Sequence, residues 1–127
     1  MQTANDMVAA AKLDITEVSP QQLHDAIGET PIIIDVREPG EYSEGHVFGA
    51  INIPRGVLEF QVEGHPAVAQ KLAPELQLKE APIYLYCRTG GRSALAAQSI
   101  QKMGFKNVYS LAGGYLGWEA AGFSVQK

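Results

Sequence analysis

Residues 31–36 read Pro-Ile-Ile-Ile-Asp-Val, with three isoleucines in succession. A strand with one wet face alternates apolar and polar residues, whereas an unbroken β-branched run belongs to a strand covered on both faces, as in a parallel sheet. Ile83-Tyr84-Leu85-Tyr86 is a second such run. Shorter strand candidates are Ala50–Ile53 and Asn107–Ser110, and Leu13–Ile15 is a candidate edge strand. Between them lie helical patterns. Ser19-Pro20-Gln21-Gln22 combines an N-cap, a first-turn proline and a capping-box glutamine, and Gly28 is expected to end that helix. Pro39–Glu44, part of Val57–Leu76, Arg92–Met103 closed by Gly104, and Gly114–Ala121 closed by Gly122 follow. Strands alternating with helices predict an α/β fold with a mainly parallel sheet and right-handed crossovers.

A length of 127 residues is that of one domain with a core of its own, and no linker divides it. Residues 1–12 carry no strand or turn signal and are expected to form a flexible N-terminal arm before a single domain over residues 13–127. The formal net charge of -4 argues against nucleic-acid binding, which calls for a basic patch. No apolar run is long enough for a bilayer and no leader is evident after Met1, so no membrane partner and a cytoplasmic location are expected. A lone cysteine forms no internal disulfide and no ordinary zinc knuckle, and the three histidines lack ligand spacing. Neither a metal nor another cofactor is expected.

That cysteine, Cys87, directly follows the strand Ile83–Tyr86, and a helix begins near Arg92. Ligands of open α/β sheets bind outside the carboxyl ends of the strands. A turn there, with the amides of the next helix aimed back at it, makes an anion cradle. Gly90 and Gly91 are expected to take positive φ angles and admit a close approach. An ordinary thiol, of pKa about 8.5, is only about 3% ionised at pH 7. A helix N-terminus stabilises an anion by up to about 2 kcal/mol. Donated hydrogen bonds and Arg88 or Arg92 add to that. A buried cysteine is more often a small hydrophobe, but such a residue has no need of two glycines and two arginines at a helix mouth.

Other residues have structural and functional readings side by side. Arg88, in the open part of the loop, is the better anion attractor; Arg92 is a second candidate or a brace that keeps the loop closed. Thr89 and Ser93 carry hydroxyls that can reach the sulfur, although Ser93 also suits a backbone bond in the first helical turn. Asp35 and Arg37 are expected to form an internal pair tying loops together. Arg55 is a candidate for the pocket rim, and Phe60 and Val62 for its border. His24 reads as a helix-face residue, His46 as a turn residue, His65 as surface and Trp118 as core.

Cys87-Arg88-Thr89-Gly90-Gly91-Arg92-Ser93 resembles the active-site loop of rhodanese-domain sulfurtransferases. Ile34-Asp35-Val36-Arg37-Glu38-Pro39-Gly40-Glu41-Tyr42 resembles the family's Asp-Val-Arg element. Gly45-His46-Val47-Phe48-Gly49-Ala50-Ile51-Asn52-Ile53-Pro54 is similar to its Gly-His-x-x-Gly-Ala-x-Asn-x-Pro element. Gly113-Gly114-Tyr115-Leu116-Gly117-Trp118 with Ala121-Gly122 matches its closing pattern. The likeness spans about residues 13–125. It implies a rhodanese-like fold, a five-stranded parallel sheet with helices on both faces. It also implies a two-step reaction in which Cys87 takes the sulfane sulfur of thiosulfate or a similar small anionic donor and passes it to cyanide, a thiol or a sulfur-accepting protein. Cys87 would be the nucleophile, and Arg88, Thr89, Gly90, Gly91, Arg92 and Ser93 the substrate-binding loop. The rival readings are a non-enzymatic interaction module on the same fold and a phosphatase. Related phosphatases place five residues between cysteine and arginine; here that position is Ser93, and Arg92 falls one residue early.

Overall fold

Every residue of strand Ile32–Asp35 is buried, as the isoleucine run requires. The computed structural model describes residues 2–73 and 76–127. In chain order the elements are α1 (Ala4–Asp14), β1 (Thr16–Val18), α2 (Pro20–Ala26), β2 (Ile32–Asp35), α3 (Pro39–Glu44), β3 (His46–Val47) and β4 (Ile51–Asn52). There follow α4 (Leu58–Gln61), α5 (Pro66–Lys71), β5 (Ile83–Tyr86), α6 (Gly91–Lys102), β6 (Val108–Leu111), α7 (Gly114–Ala120) and β7 (Val125–Gln126). Five strands form one sheet in the order β1-β6-β5-β2-β4, and every pairing in it is parallel. β5 lies at its centre, with Ile83 beside Ile32 of β2 and Val108 of β6. β3 and β7 form a separate antiparallel ribbon.

The period of two sorts the side chains into two cores. Ile32, Ile34, Ile83 and Leu85 pack with Leu58, Val62, Val68 and Ile100, under α4, α5 and α6. Ile33, Tyr86 and Leu111 pack on the other side with Leu23, Tyr115 and Trp118, under α2 and α7. This is the α/β architecture expected from the sequence, with helices on both faces. No helix among the described residues is long and apolar enough to cross a membrane.

The structure departs from expectation in several places. Of the stretch read as a flexible arm, residues 4–12 belong to α1; Met1 lies outside the described residues. Thr3 and Asp6 close a reciprocal capping box at its start, Ala11 is wholly buried, and Gln98 of α6 donates to Asp14 at 3.0 Å. Small residues carry this helix, so it shows little apolar stripe in the sequence but fits closely against α6. The edge strand is Thr16–Val18, just after the expected Leu13–Ile15, because α1 runs through Asp14. Gly28 does not end α2; a 3-10 turn continues over Ile27–Glu29, and Thr30, at φ 50°, reverses the chain. The helical stretch expected within residues 57–76 is broken by Gly64 and by Pro66 at the first position of α5; its Pro74 and Glu75 lie outside the described residues.

Candidate active site

Parallel strands end at a common edge, and the chain leaving β5 there turns through Cys87, Arg88, Thr89 and Gly90 into α6. Gly90 takes φ 113°, the left-handed region, as a turn this tight requires. Gly91 does not share that conformation: it is helical, the first residue of α6, and Val8 of α1 would lie 3.6 Å from a Cβ placed on it. The turn folds the chain back on the sulfur. Gly90 N–H donates to Cys87 Sγ at 3.1 Å, and Ser93 N–H donates at 3.4 Å from the first turn of α6. The thiol donates to Ser93 Oγ at 3.6 Å. Ser93 Oγ also donates to Gly90 O at 3.3 Å and lies 2.8 Å from Ser110 Oγ of β6. Cys87 is 1% exposed; the arrangement gathers two amides and a hydroxyl around one sulfur.

α7 clamps the loop from the other face of the sheet. The Tyr115 amide donates to Cys87 O at 2.8 Å and the Leu116 amide to Arg88 O at 3.1 Å. That contact is possible because residue 114 lacks a side chain: at φ +57°, a Cβ there would lie 2.5 Å from Arg88 O and 2.6 Å from Cys87 O.

The two loop arginines are placed differently. Arg88 and Thr89 are exposed, and Thr89 is on the solvent side of the turn. Arg92 makes a bidentate pair with Glu41 of α3, at 2.8 and 3.1 Å. These hydrogen bonds from Arg92 hold the Glu41 carboxyl at about 2, overcoming burial, which acts in the opposite direction. Glu41 in turn raises Arg92 above its ordinary value, its hydrogen bonds outweighing burial. Arg92 is therefore a brace between α3 and the start of α6.

Beneath the loop, Arg37 and Asp35 form a buried pair. Arg37 donates to both Asp35 oxygens, at 2.7 to 3.0 Å, and to Gly45 O at 2.6 Å. Tyr86 OH donates to Asp35 Oδ2 at 2.9 Å and accepts from the Val47 amide. Burial alone would depress the Arg37 pKa, but hydrogen bonding and charge from Asp35 outweigh it and raise the value. Burial, reinforced by the Asp35 charge, pushes the Tyr86 hydroxyl far above its usual range. Asn52 ties Asp35 O and Arg37 O together at the end of β4. The group links the ends of β2, β4 and β5 to β3.

Other candidates lie elsewhere or have other partners. Arg55 is held by Glu59 at 2.9 and 3.1 Å, and Ser99 of α6 also donates to Glu59. Val62 is buried in the apolar core, while Phe60 is 88% exposed. His24 stacks on Phe123 at 4.2 Å, and His46 stacks on Tyr42 at 3.7 Å. His65, expected at the surface, is half-buried and accepts the Ala67 amide to cap α5. Trp118 is core. Sequence reasoning missed Glu41, Tyr86, Gly114 and Ser110 as parts of the site. For Glu41 a signal existed: it closes a capping box with Glu38, which fixes it at the start of α3. Nothing in the local sequence ties Ser110 to Cys87.

The rhodanese-like domain, as a family, matches residues 19–121. Among curated relatives, the uncharacterized protein YqhL of Bacillus subtilis is 38% identical over 86 residues, 68% of this chain and 59% of YqhL. The match thus spans less than two thirds of that relative's length. Thiosulfate sulfurtransferase 16, chloroplastic, of Arabidopsis thaliana is 32% identical over 87% of this chain and 92% of its own length. Among solved structures, the Rhodopseudomonas palustris protein RPA3614, described as of unknown function and a possible tyrosine phosphatase, is similar with a TM-score of 0.81 and 28% identity, covering 99% of this chain and 96% of that one.

Proposed function

The chain belongs to the family of rhodanese-like domains, and from that premise we propose that it is a sulfurtransferase carrying sulfur on Cys87 as a persulfide. The observation that carries the reading is the convergence of the Gly90 and Ser93 amides on Cys87 Sγ. Amides fixed before the reaction favour an anion without reorganising as charge develops. The Cys87 thiolate attacks the sulfane sulfur of thiosulfate. An S–S bond forms, and the bond to the sulfonate sulfur breaks with its electron pair, so sulfite leaves. The outer sulfur of the persulfide is then attacked by cyanide or a thiolate, and the Cys87–S bond breaks with its pair returning to Cys87. No general base is needed once the thiolate exists. Exposed Arg88 attracts the anionic donor; Arg92, braced by Glu41, holds the loop and adds positive field. A free cysteine nucleophile suits a reducing compartment, and the cytoplasm is the proposed location.

A phosphatase is the second reading, and the description of RPA3614 favours it. The loop argues against it: only four residues separate Cys87 from Arg92, and the Arg92 guanidinium is already occupied by Glu41. Mass spectrometry after thiosulfate treatment decides the matter. Wild-type chain should gain one sulfur that cyanide removes as thiocyanate, and Cys87→Ser should gain none. Hydrolysis of an aryl phosphate without sulfur loading would install the phosphatase instead, and loading without turnover would leave a binding module.

A further inference from the structure

We propose that Ser110, outside the cysteine loop and on the neighbouring strand β6, is a positioning residue that completes a hydroxyl relay to the Cys87 sulfur. Ser110 and Val108 project from the same side of β6, into the apolar core under α6, where Val108 packs. A hydroxyl there is costly without a partner. Ser110 is wholly buried, and its Oγ lies 2.8 Å from Ser93 Oγ. Ser93 Oγ is the group 3.6 Å from the sulfur, with Gly90 O at 3.3 Å as a second acceptor.

The relay follows from counting protons. A hydroxyl has one proton and two lone pairs. With Cys87 protonated, the thiol donates to Ser93 Oγ, and Ser93 donates to Gly90 O. When the thiol loses its proton, Ser93 Oγ loses a donor and the sulfur becomes an acceptor. Ser93 then turns its proton from Gly90 O to Sγ, while Ser110, the donor to Ser93 Oγ in both states, keeps that bond and strengthens the one Ser93 now makes to the anion. Each donor in such a chain polarises the next. Ser110 thus favours the anion without touching it. The same would hold for a persulfide anion, and that extension alone rests on the sulfur-transfer reading. The charged groups around the sulfur are independent of Ser110. Arg92 on α6 is held by Glu41 of α3, Asp35 at the end of β2 and Arg37 just beyond it close on each other, and Arg88 is exposed. α7 meets the loop through backbone amides of Tyr115 and Leu116.

The test is ionisation of the single thiol, read by thiolate ultraviolet absorbance and by the pH dependence of alkylation. It needs no sulfur donor, so it fails or succeeds separately from the sulfurtransferase assignment. Ser110→Ala should raise the pH midpoint by about half to one unit, slowing alkylation below the midpoint about three- to tenfold. Ser110→Thr, which keeps a hydroxyl, should restore the wild-type midpoint, while Ser110→Val, of the same shape, should not. The Thr and Val pair carries the comparison if Ser110→Ala does not fold. In a Ser93→Ala background, removing the Ser110 hydroxyl should cause no further shift. An unchanged midpoint in Ser110→Ala, equal midpoints for Thr and Val, or a shift of equal size without Ser93 would each overturn the proposal.

Discussion

Arg37 shows how a charge earns a place inside the molecule. Its guanidinium meets Asp35, Gly45 O and the Tyr115 ring, whose centroid is 4.4 Å away. Removing it leaves the Asp35 carboxylate buried without its cation, a change that costs about 3–5 kcal/mol when a buried pair is broken. Arg37→Ala is therefore expected to unfold at markedly lower urea concentration, while protein that remains folded keeps most of the sulfur loading proposed for the wild type. Glu41 acts in another range. Its carboxyl titrates at about 2 instead of 4.5 because Arg92 favours the ionised form. A carboxyl whose value is lowered on folding stabilises the protein above its unfolded value and ceases to do so as pH falls through the folded one. The clamp should thus be fully present above about pH 4.5 and be lost toward pH 2. In acid titration followed by circular dichroism, Glu41→Gln should lower stability near neutrality and flatten the profile between about pH 4.5 and pH 2 relative to wild type.

At the scale of elements, the loop depends on two helix starts approaching one strand end. Gly114 and Gly91 make opposite predictions although both begin helices. Gly114 sits at φ +57° with the Cys87 and Arg88 carbonyls where its Cβ would be. Gly114→Ala should cost more than about 2 kcal/mol, since a left-handed alanine and a backbone clash add, and should abolish sulfur loading. Gly91 is helical, and a Cβ there would meet Val8 at an ordinary contact distance. Gly91→Ala should keep stability within about 1 kcal/mol of wild type, as measured by denaturant melts. Most elements were legible locally. Proline at the first helical position marked α2 and α3, and Gly104 and Gly122, at positive φ, closed α6 and α7. α1 was not legible, because its helical character comes from fitting small residues against α6.

Across the whole molecule, the sheet separates two cores that must form together, since neither covers both faces of β2 and β5. Ile100 lies in the core under α6, and the single tryptophan, Trp118, lies in the other. Ile100→Ala should cost about 2–5 kcal/mol. Its Trp fluorescence and far-ultraviolet transitions should shift by the same amount; separate transitions would show that the two cores unfold independently.

The amino-acid order alone determined the α/β class, the central strands and the cysteine loop, because an unbroken β-branched run and a strand–Cys–Gly–helix sequence each restrict the backbone within a few residues. Only the tertiary structure decided which side chains meet at that loop. Glu41 reaches Arg92 from 51 residues away, Tyr86 reaches Asp35 across the same separation, and Ser110 lies 17 residues beyond Ser93. Those meetings arise where parallel strands end at one edge. Local propensity fixes each strand, but the order of strands in the sheet fixes which residues become neighbours.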